Sequence, residues 1–420
     1  MAMLDPGRVG ARPQWLPSLE PAPPPKAGVG AVAAAAILLL FATVLTTQGW
    51  QQATILGLGL GLGLALYHAR FGFTSAFRQL LAVGQGEGLR AHALMLATAS
   101  VLFAPILSAG VGLFGTEPAG YVAPVGISVV VGAFLFGIGM QLGGACASGT
   151  LFAVGGGHTA ILLTLGGFIG GSVIGAAHWG FWTQDLAHLG TGPVSLADDT
   201  PLGYPGAVVA TLAVLGLMYW AAGRLSRRRN APPAGRPPAA SGPIRILRGS
   251  WPLWVGALAL AGLNAAVLLV SGRPWGVTGA FALWGSKIAE RLGVDVRGWE
   301  YWAGERAAPL DASVLADTTS LLNFGIVLGA LGAAAVGGTF LLHRRIPPKT
   351  AAAAIVGGLL MGYGARLAYG CNIGAYFGGI ASFSLHGWLW GALALAGTFA
   401  GLKARPLFGL GNPKPTDSVC

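Results

Sequence analysis

Long apolar stretches, divided by short polar ones, run through most of this chain. They fall at about 28–47, 53–68, 91–114, 122–142, 158–178 and 203–222, and again at about 251–271, 275–291, 319–342, 350–369 and 386–402. A helix needs roughly 20 apolar residues to cross a bilayer, and most of these stretches approach that length. The pattern predicts an all-α polytopic membrane protein.

Two polar stretches interrupt it. Residues 1–27 are proline-rich (LEPAPPPKAG) and read as a disordered leader. They lack the basic n-region and prompt apolar core of a cleaved signal, so 28–47 is expected to stay as a membrane helix. Residues 224–250 hold seven arginines, no acid and several prolines, which forbids a regular helix there. The chain then divides into a first membrane half (28–223), a flexible basic linker (224–250), a second membrane half (251–405) and a polar tail (406–420).

Composition sharpens this picture. Apolar residues make up 54% and charged residues 9%, against about 25% charged in an ordinary soluble domain. That excludes a disordered chain, a DNA-binding domain and a typical cytosolic enzyme. The net charge of +11 comes from arginines lying between apolar segments, the positive-inside pattern rather than a nucleic-acid surface. It assigns the linker, the 343–349 loop and both termini to the cytoplasm. Two acidic loops, one with Asp185, Asp198 and Asp199 and one with Glu300, Glu305, Asp311 and Asp317, then fall outside.

Glycine accounts for 70 of 420 residues and sits inside apolar stretches, where it signals close helix packing or broken helices. The glycines also expose a repeat. Residues 132–149 (GAFLFGIGMQLGGACASG) align with 357–374 (GGLLMGYGARLAYGCNIG) at an offset of 225. Cys146 meets Cys371, Gln141 meets Arg366, and Gly132, Gly137 and Gly139 meet Gly357, Gly362 and Gly364. Earlier in each half, FGFTSAF (71–77) matches WGVTGAF (275–281). Segment counting makes the halves inverted with respect to one another, as in many transporters.

After each repeated cysteine comes a short apolar stretch, ASGTLFAVGGG or NIGAYFGGIAS. About ten residues cannot span a bilayer at 1.5 Å per residue, so re-entrant half-helices are expected. Ser148 and Asn372 are capping types at or near their starts. Two helix N-termini, each carrying roughly half a positive charge, would face the membrane centre and attract an anion. Arg366, inside an apolar helix, is a further candidate, and Gln141 a hydrogen-bond donor from the other half. Cys146 and Cys371 offer thiols to a soft substrate. Cys420, on the polar tail, reads as an incidental thiol. Trp275, Trp284, Tyr363 and Tyr376 lie near the motifs and read as packing residues. No CxxC, HExxH or GxxxxGK[ST] occurs, so no metal site, ATP site or other cofactor is indicated.

The motifs GGACASGTLFAVGGG and RLAYGCNIGAYFGGIASFSLHGW resemble the YeeE/YedE family of membrane proteins, over roughly 54–402. The resemblance implies a sulfur-compound permease, with thiosulfate handed between thiols by hydrogen bonds, and often a small cytoplasmic sulfur-carrier protein as companion. Carried over, the conducting cysteines are Cys146 and Cys371. Gly72 stands where the family often has another cysteine, so a three-thiol relay is incomplete. The expectation is a bacterial inner-membrane permease for thiosulfate or a related sulfur anion. It sits in membrane lipid and has no catalytic residues, with Cys146, Cys371, Arg366, Gln141, Ser148 and Asn372 at the substrate. The rival readings are a membrane-embedded thiol-dependent sulfurtransferase and a neutral-solute channel.

Overall fold

A computed structural model describes residues 22–231, 240, 242–342 and 345–411. Most of the proline-rich leader, the middle of the linker, His343, Arg344 and the tail from 412 with Cys420 lie outside the described residues. Helices α1 (Ala27–Gln48), α2 (Trp50–Ala69), α3 (Phe73–Ala82), α4 (Glu87–Ala109), α5 (Ile127–Leu142), α6 (Ala147–Gly155), α7 (Ala160–Ala177) and α8 (Gly203–Arg228) come first. The expectation of no regular helix at 224–250 fails at both ends, where α8 runs in as far as Arg228, before the first proline of that stretch, and the one-turn α9 (Arg245–Arg248) follows the last. Then come α10 (Leu253–Ser271), α11 (Thr278–Arg291), the one-turn α12 (Ala308–Asp311), α13 (Thr318–Val336) and α14 (Pro348–Leu367). A π-helical segment, Asn372–Gly378, runs into α15 (Gly379–Ala381), and α16 (Leu385–Ala404) follows. Among the described residues, ten helical segments are long and apolar enough to cross a membrane. The protein is an all-α polytopic membrane protein.

Two elements depart from the segment count. The stretch after the second apolar segment folds into α3, buried over most of its length. Its repeat partner α11 starts only at Thr278 and has 14 residues, about 21 Å at 1.5 Å per residue, too short for a hydrocarbon core of about 30 Å. The 275–291 segment is therefore a short helix, not a span. The chain turns left-handed at Arg70 (φ 47°) before α3 and at Gly272 (φ 74°) before α11, which separates each short helix from the long one before it.

Glycine sets how closely the helices meet. A Cβ on Gly132 would lie 2.6 Å from the Gly364 carbonyl oxygen, and one on Gly139 would lie 2.6 Å from that of Gly357. Rising numbers on α5 meet falling numbers on α14, so these helices cross antiparallel. The contact is reciprocal, because Gly132 and Gly357 are one repeat position and Gly139 and Gly364 another. A second pair obeys the same rule. Gly137 packs on Gly397, joining α5 to α16 in parallel, while its counterpart Gly362 packs on Ser172 and Gly171, joining α14 to α7. The α2–α13 contact likewise has a counterpart in α10–α4. With lipid no less apolar than leucine, such backbone-to-backbone packing is what holds membrane helices together.

Outside the long helices, β1 (Pro124–Gly126) pairs antiparallel with β2 (Gly190–Pro193). The segment between α11 and α13 is tied down by polar contacts. Arg297 bridges Glu290 at 2.5 Å and Asp311 at 2.7 Å, and Lys287 donates to the carbonyls of Leu310 and Ala312. The Arg297 hydrogen bond and charge hold the Asp311 carboxyl below its ordinary pKa. Asp317 caps α13, accepting from the Ser320 amide at 2.7 Å.

Candidate transport site

Each repeated cysteine stands at a break in the helices. Cys146 (φ −82°, ψ −171°) and Cys371 (φ −108°, ψ −168°) are extended, and each is the residue that caps a short helix. The preceding corner is shared too. Gly144 (φ 85°) and Tyr369 (φ 56°), two residues before each cysteine, are both left-handed. Glycine takes that conformation freely, whereas a bulky tyrosine does so at a cost that surrounding packing must offset. The corner is thus a property of the repeat, not of one residue type.

Each cysteine is followed by a short helical segment, Ala147–Gly155 or Asn372–Gly378. The cysteines, not Ser148 or Asn372, occupy the cap positions. Cys371 Sγ accepts from the Ile373 amide at 3.4 Å, and its carbonyl accepts from the Ala375 amide at 2.9 Å. The Cys146 carbonyl accepts from the amide and hydroxyl of Thr150, both at 2.8 Å. Ser148 Oγ lies 3.6 Å from Cys146 Sγ, so it serves the thiol. Asn372 is the first helical residue, and its buried amide oxygen and nitrogen have no partner. Both cysteines are 1% exposed. The segment Asn372–Gly378 touches α6, which brings the two half-helices together from opposite halves.

Arg366 lies at the end of α14 and is 6% exposed. Its Nη1 donates to the Tyr301 hydroxyl and its Nη2 to Thr278 Oγ1 at 2.7 Å, while its Nε has no partner. Among the described residues it makes no ion pair. Tyr301 comes from the tethered segment after α11, and Thr278 is the first residue of that helix. Gln141 is fully buried; its Nε2 lies 3.4 Å from the Thr74 carbonyl, and its own carbonyl accepts from Arg405 at 2.7 Å.

A cavity of about 610 Å³ opens beside Arg366. Arg273, Thr278, Tyr301, Trp179 and Tyr121 line it, and Gly370 and Gly374, on either side of Cys371, reach its wall. Two guanidinium groups, hydroxyls and aromatic faces thus converge on this cavity, with Asp317 also on its wall. The cations and hydroxyls suit an anion's oxygens, and the ring edges suit a softer end.

The family described as Sulphur transport matches residues 68–400, from the end of α2 into α16. The chain belongs to this family. The thiosulfate transporter TsuA of Spirochaeta thermophila is 31% identical over 331 residues, 77% of this chain and 90% of that protein. The thiosulfate transporter TsuA of Escherichia coli is 26% identical over 77% of this chain and 86% of its own length. The probable transporter YedE of Escherichia coli is 33% identical over 134 residues, about a third of each chain. The sulphur-transport family and these relatives are transporters and not enzymes by description.

Within that family frame, the residues named from sequence fall into two groups. Cys146, Ser148, Cys371 and Asn372 gather where the half-helices meet, while Arg366 and Gln141 each reach the start of a short helix. Sequence reasoning missed Thr278, Tyr301 and Arg273. The matched strings FGFTSAF and WGVTGAF held a signal for the first, since Thr278 falls on Thr74. Trp275, read as packing, is fully buried and borders the cavity.

Proposed function

We propose that this protein is an inner-membrane permease for thiosulfate or a related sulfur-containing anion, which passes between the Cys146 and Cys371 thiols near the membrane centre. The observation that carries this reading is the pair of buried cysteines, each capping a half-helix, from two halves that pack reciprocally. The half-helix N-termini supply roughly one positive charge in total, and Arg366 supplies another. A dianion is then close to balance, where burying it unpaired would cost several kcal/mol or more. Neutral thiols donate to it without adding repulsion.

The halves act as inverted repeats, a reading supported by the antiparallel, reciprocal α5–α14 contact. Residues 224–250 link them on the cytoplasmic side together with both termini, in a bacterial plasma membrane. Ser148 and Asn372 complete the half-helix ends, and Gln141 supplies hydrogen bonds from the first half. Thiosulfate is the transported compound named for the TsuA relatives. A small cytoplasmic sulfur-carrier protein is the partner that would receive it.

The test is uptake of labelled thiosulfate in a strain lacking other sulfur importers. Wild type restores uptake and Cys371→Ala, present in the membrane at equal level, does not. Equal uptake by both would sink the thiol relay, and no uptake by wild type would sink the substrate.

A further inference from the structure

A second, much smaller cavity opens where the first half, the linker and the second half meet. Arg70 and His68 from the end of α2, Arg248 from α9 and Thr339 from beyond α13 line it together. Its volume is about 20 Å³, room for roughly one water-sized group. It admits an oxygen or so of a larger molecule, with the rest outside.

The wall carries two cations and no carboxylate. Neither arginine makes an ion pair among the described residues. Arg248 donates from Nε to the Val336 carbonyl at 3.2 Å and from Nη2 to the Pro23 carbonyl at 2.9 Å, so it is held in place without being neutralised. His68 is 4% exposed, and its Nε2 has no partner. The Tyr67 and Thr339 hydroxyls bond each other at 2.9 Å, which uses one of their two hydrogens. Two guanidinium groups on one small polar cavity repel each other until an anion joins them.

The surroundings narrow the choice of anion. Ile246 and Leu247 on α9, Ile244 just before it, and Leu341 and Leu342 just past Thr339 are exposed apolar side chains. Mixed with arginines at the ends of α2 and α13, they fit the headgroup level of a bilayer. A free phosphate would leave them bare, whereas a lipid brings acyl chains to them and a phosphate oxygen to the cavity. Basic pockets between membrane helices are suited to such headgroups. His68 Nε2 donates or accepts according to its tautomer. A phosphoglycerol headgroup meets either case, with accepting phosphate oxygens and donating hydroxyls.

We propose that Arg70, Arg248 and His68 hold the phosphoglycerol headgroup of an anionic phospholipid, which pins the linker to the ends of α2 and α13 and so joins the two halves on that face. The site shares no residue with the 610 Å³ cavity, and the proposal does not depend on what the protein transports.

The test takes full-length protein, stripped of lipid in a neutral detergent, and titrates it with phosphatidylglycerol or phosphatidylethanolamine while native mass spectrometry counts bound lipid. Wild type is expected to hold one phosphatidylglycerol at least about tenfold more tightly than phosphatidylethanolamine. Arg70→Gln is expected to weaken phosphatidylglycerol binding about tenfold and His68→Leu about threefold. Arg248→Lys weakens it less than Arg70→Gln, because lysine keeps the charge and loses the planar fork. Arg224→Gln, which removes an α8 arginine that stacks on Trp220, is expected to stay within about twofold of wild type. Bound phosphatidylglycerol also raises the thermal midpoint of wild type more than that of Arg70→Gln. Equal phosphatidylglycerol affinity in wild type, Arg70→Gln and His68→Leu overturns the site; should Arg70→Gln fail to fold, His68→Leu and Arg248→Lys decide it. Glycerol phosphate without acyl chains that displaces the lipid at equal concentration overturns the lipid as occupant in favour of a free phosphate.

Discussion

Arg366 Nη2 donates to Thr278 Oγ1 at 2.7 Å, tying the end of α14 to the first residue of α11. The same guanidinium faces the 610 Å³ cavity, so one residue both fastens two helices and presents charge to that cavity. Arg366→Gln makes this position resemble Gln141 and removes only the charge. It is expected to raise the half-saturating thiosulfate concentration by about 10- to 100-fold, the worth of a hydrogen bond to a charged group. Arg366→Lys is expected to be intermediate, because lysine keeps charge but not the planar fork. Uptake kinetics at matched protein levels check this, and unchanged affinity in the Gln variant would make Arg366 a fastener alone.

The thiols are testable apart from folding. Cys146→Ala and Cys371→Ala each remove one buried sulfur, at a stability cost of about 1 kcal/mol, well below that of a large core truncation. Uptake is expected to fall below about a tenth of wild type in each, with the protein still in the membrane. Cys420→Ala is expected to transport normally. Normal uptake in all three variants would refute the relay.

The glycine crossings give a stability prediction. Gly364→Val would set a Cβ 2.4 Å from the Gly132 carbonyl oxygen, a backbone atom that cannot swing away. Overpacking costs about 1–3 kcal/mol and sometimes more, and this variant belongs at the top of that range or beyond. Gly216→Ala on α8, where a Cβ meets nothing within 4 Å, is expected to be harmless or slightly stabilising. Thermal unfolding in detergent compares the two, and equal midpoints would contradict the close α5–α14 crossing.

Topology follows from the inverted reading. Reporters fused in the 224–250 linker and at the C-terminus are expected to read cytoplasmic. Reporters near Asp198 and Asp311 are expected to read from the opposite side. A linker and C-terminus on different faces would contradict the segment order.

The segment after α11 gives a pH prediction. Its Asp311 carboxyl is held below the ordinary 3.8, chiefly by the hydrogen bond from Arg297. A depressed carboxylate stabilises the folded form above its unfolded pKa and loses that contribution as pH falls through its folded value. Between pH 5 and 8 the Arg297–Asp311 tie is therefore constant. Protection factors across 295–311, taken relative to the intrinsic exchange rate at each pH, are expected to be flat in that window and to fall only below pH 3.8. A loss of protection already at pH 6 would show that another group governs the segment.

Much of this architecture was legible in the residues themselves. Apolar length alone sets which segments cross a bilayer, because the hydrocarbon core has a fixed thickness. The 225-residue offset tied Cys146 to Cys371 and Gln141 to Arg366 with no structure needed, since repeat register is a property of the string. Apolar length misjudged 275–291, because composition does not say where a helix begins, and the left-handed turn at Gly272 delays α11 to Thr278. Capping was also beyond it. Ser148 and Asn372 have the right chemistry, but a cap is defined by backbone conformation, and the extended residues are the cysteines. Only tertiary packing could bring Tyr301 and Thr278, 65 and 88 residues away, onto one guanidinium. Such pairs depend on which helices the glycines allow to touch, and that follows from backbone atoms meeting across the two halves, not from any local pattern.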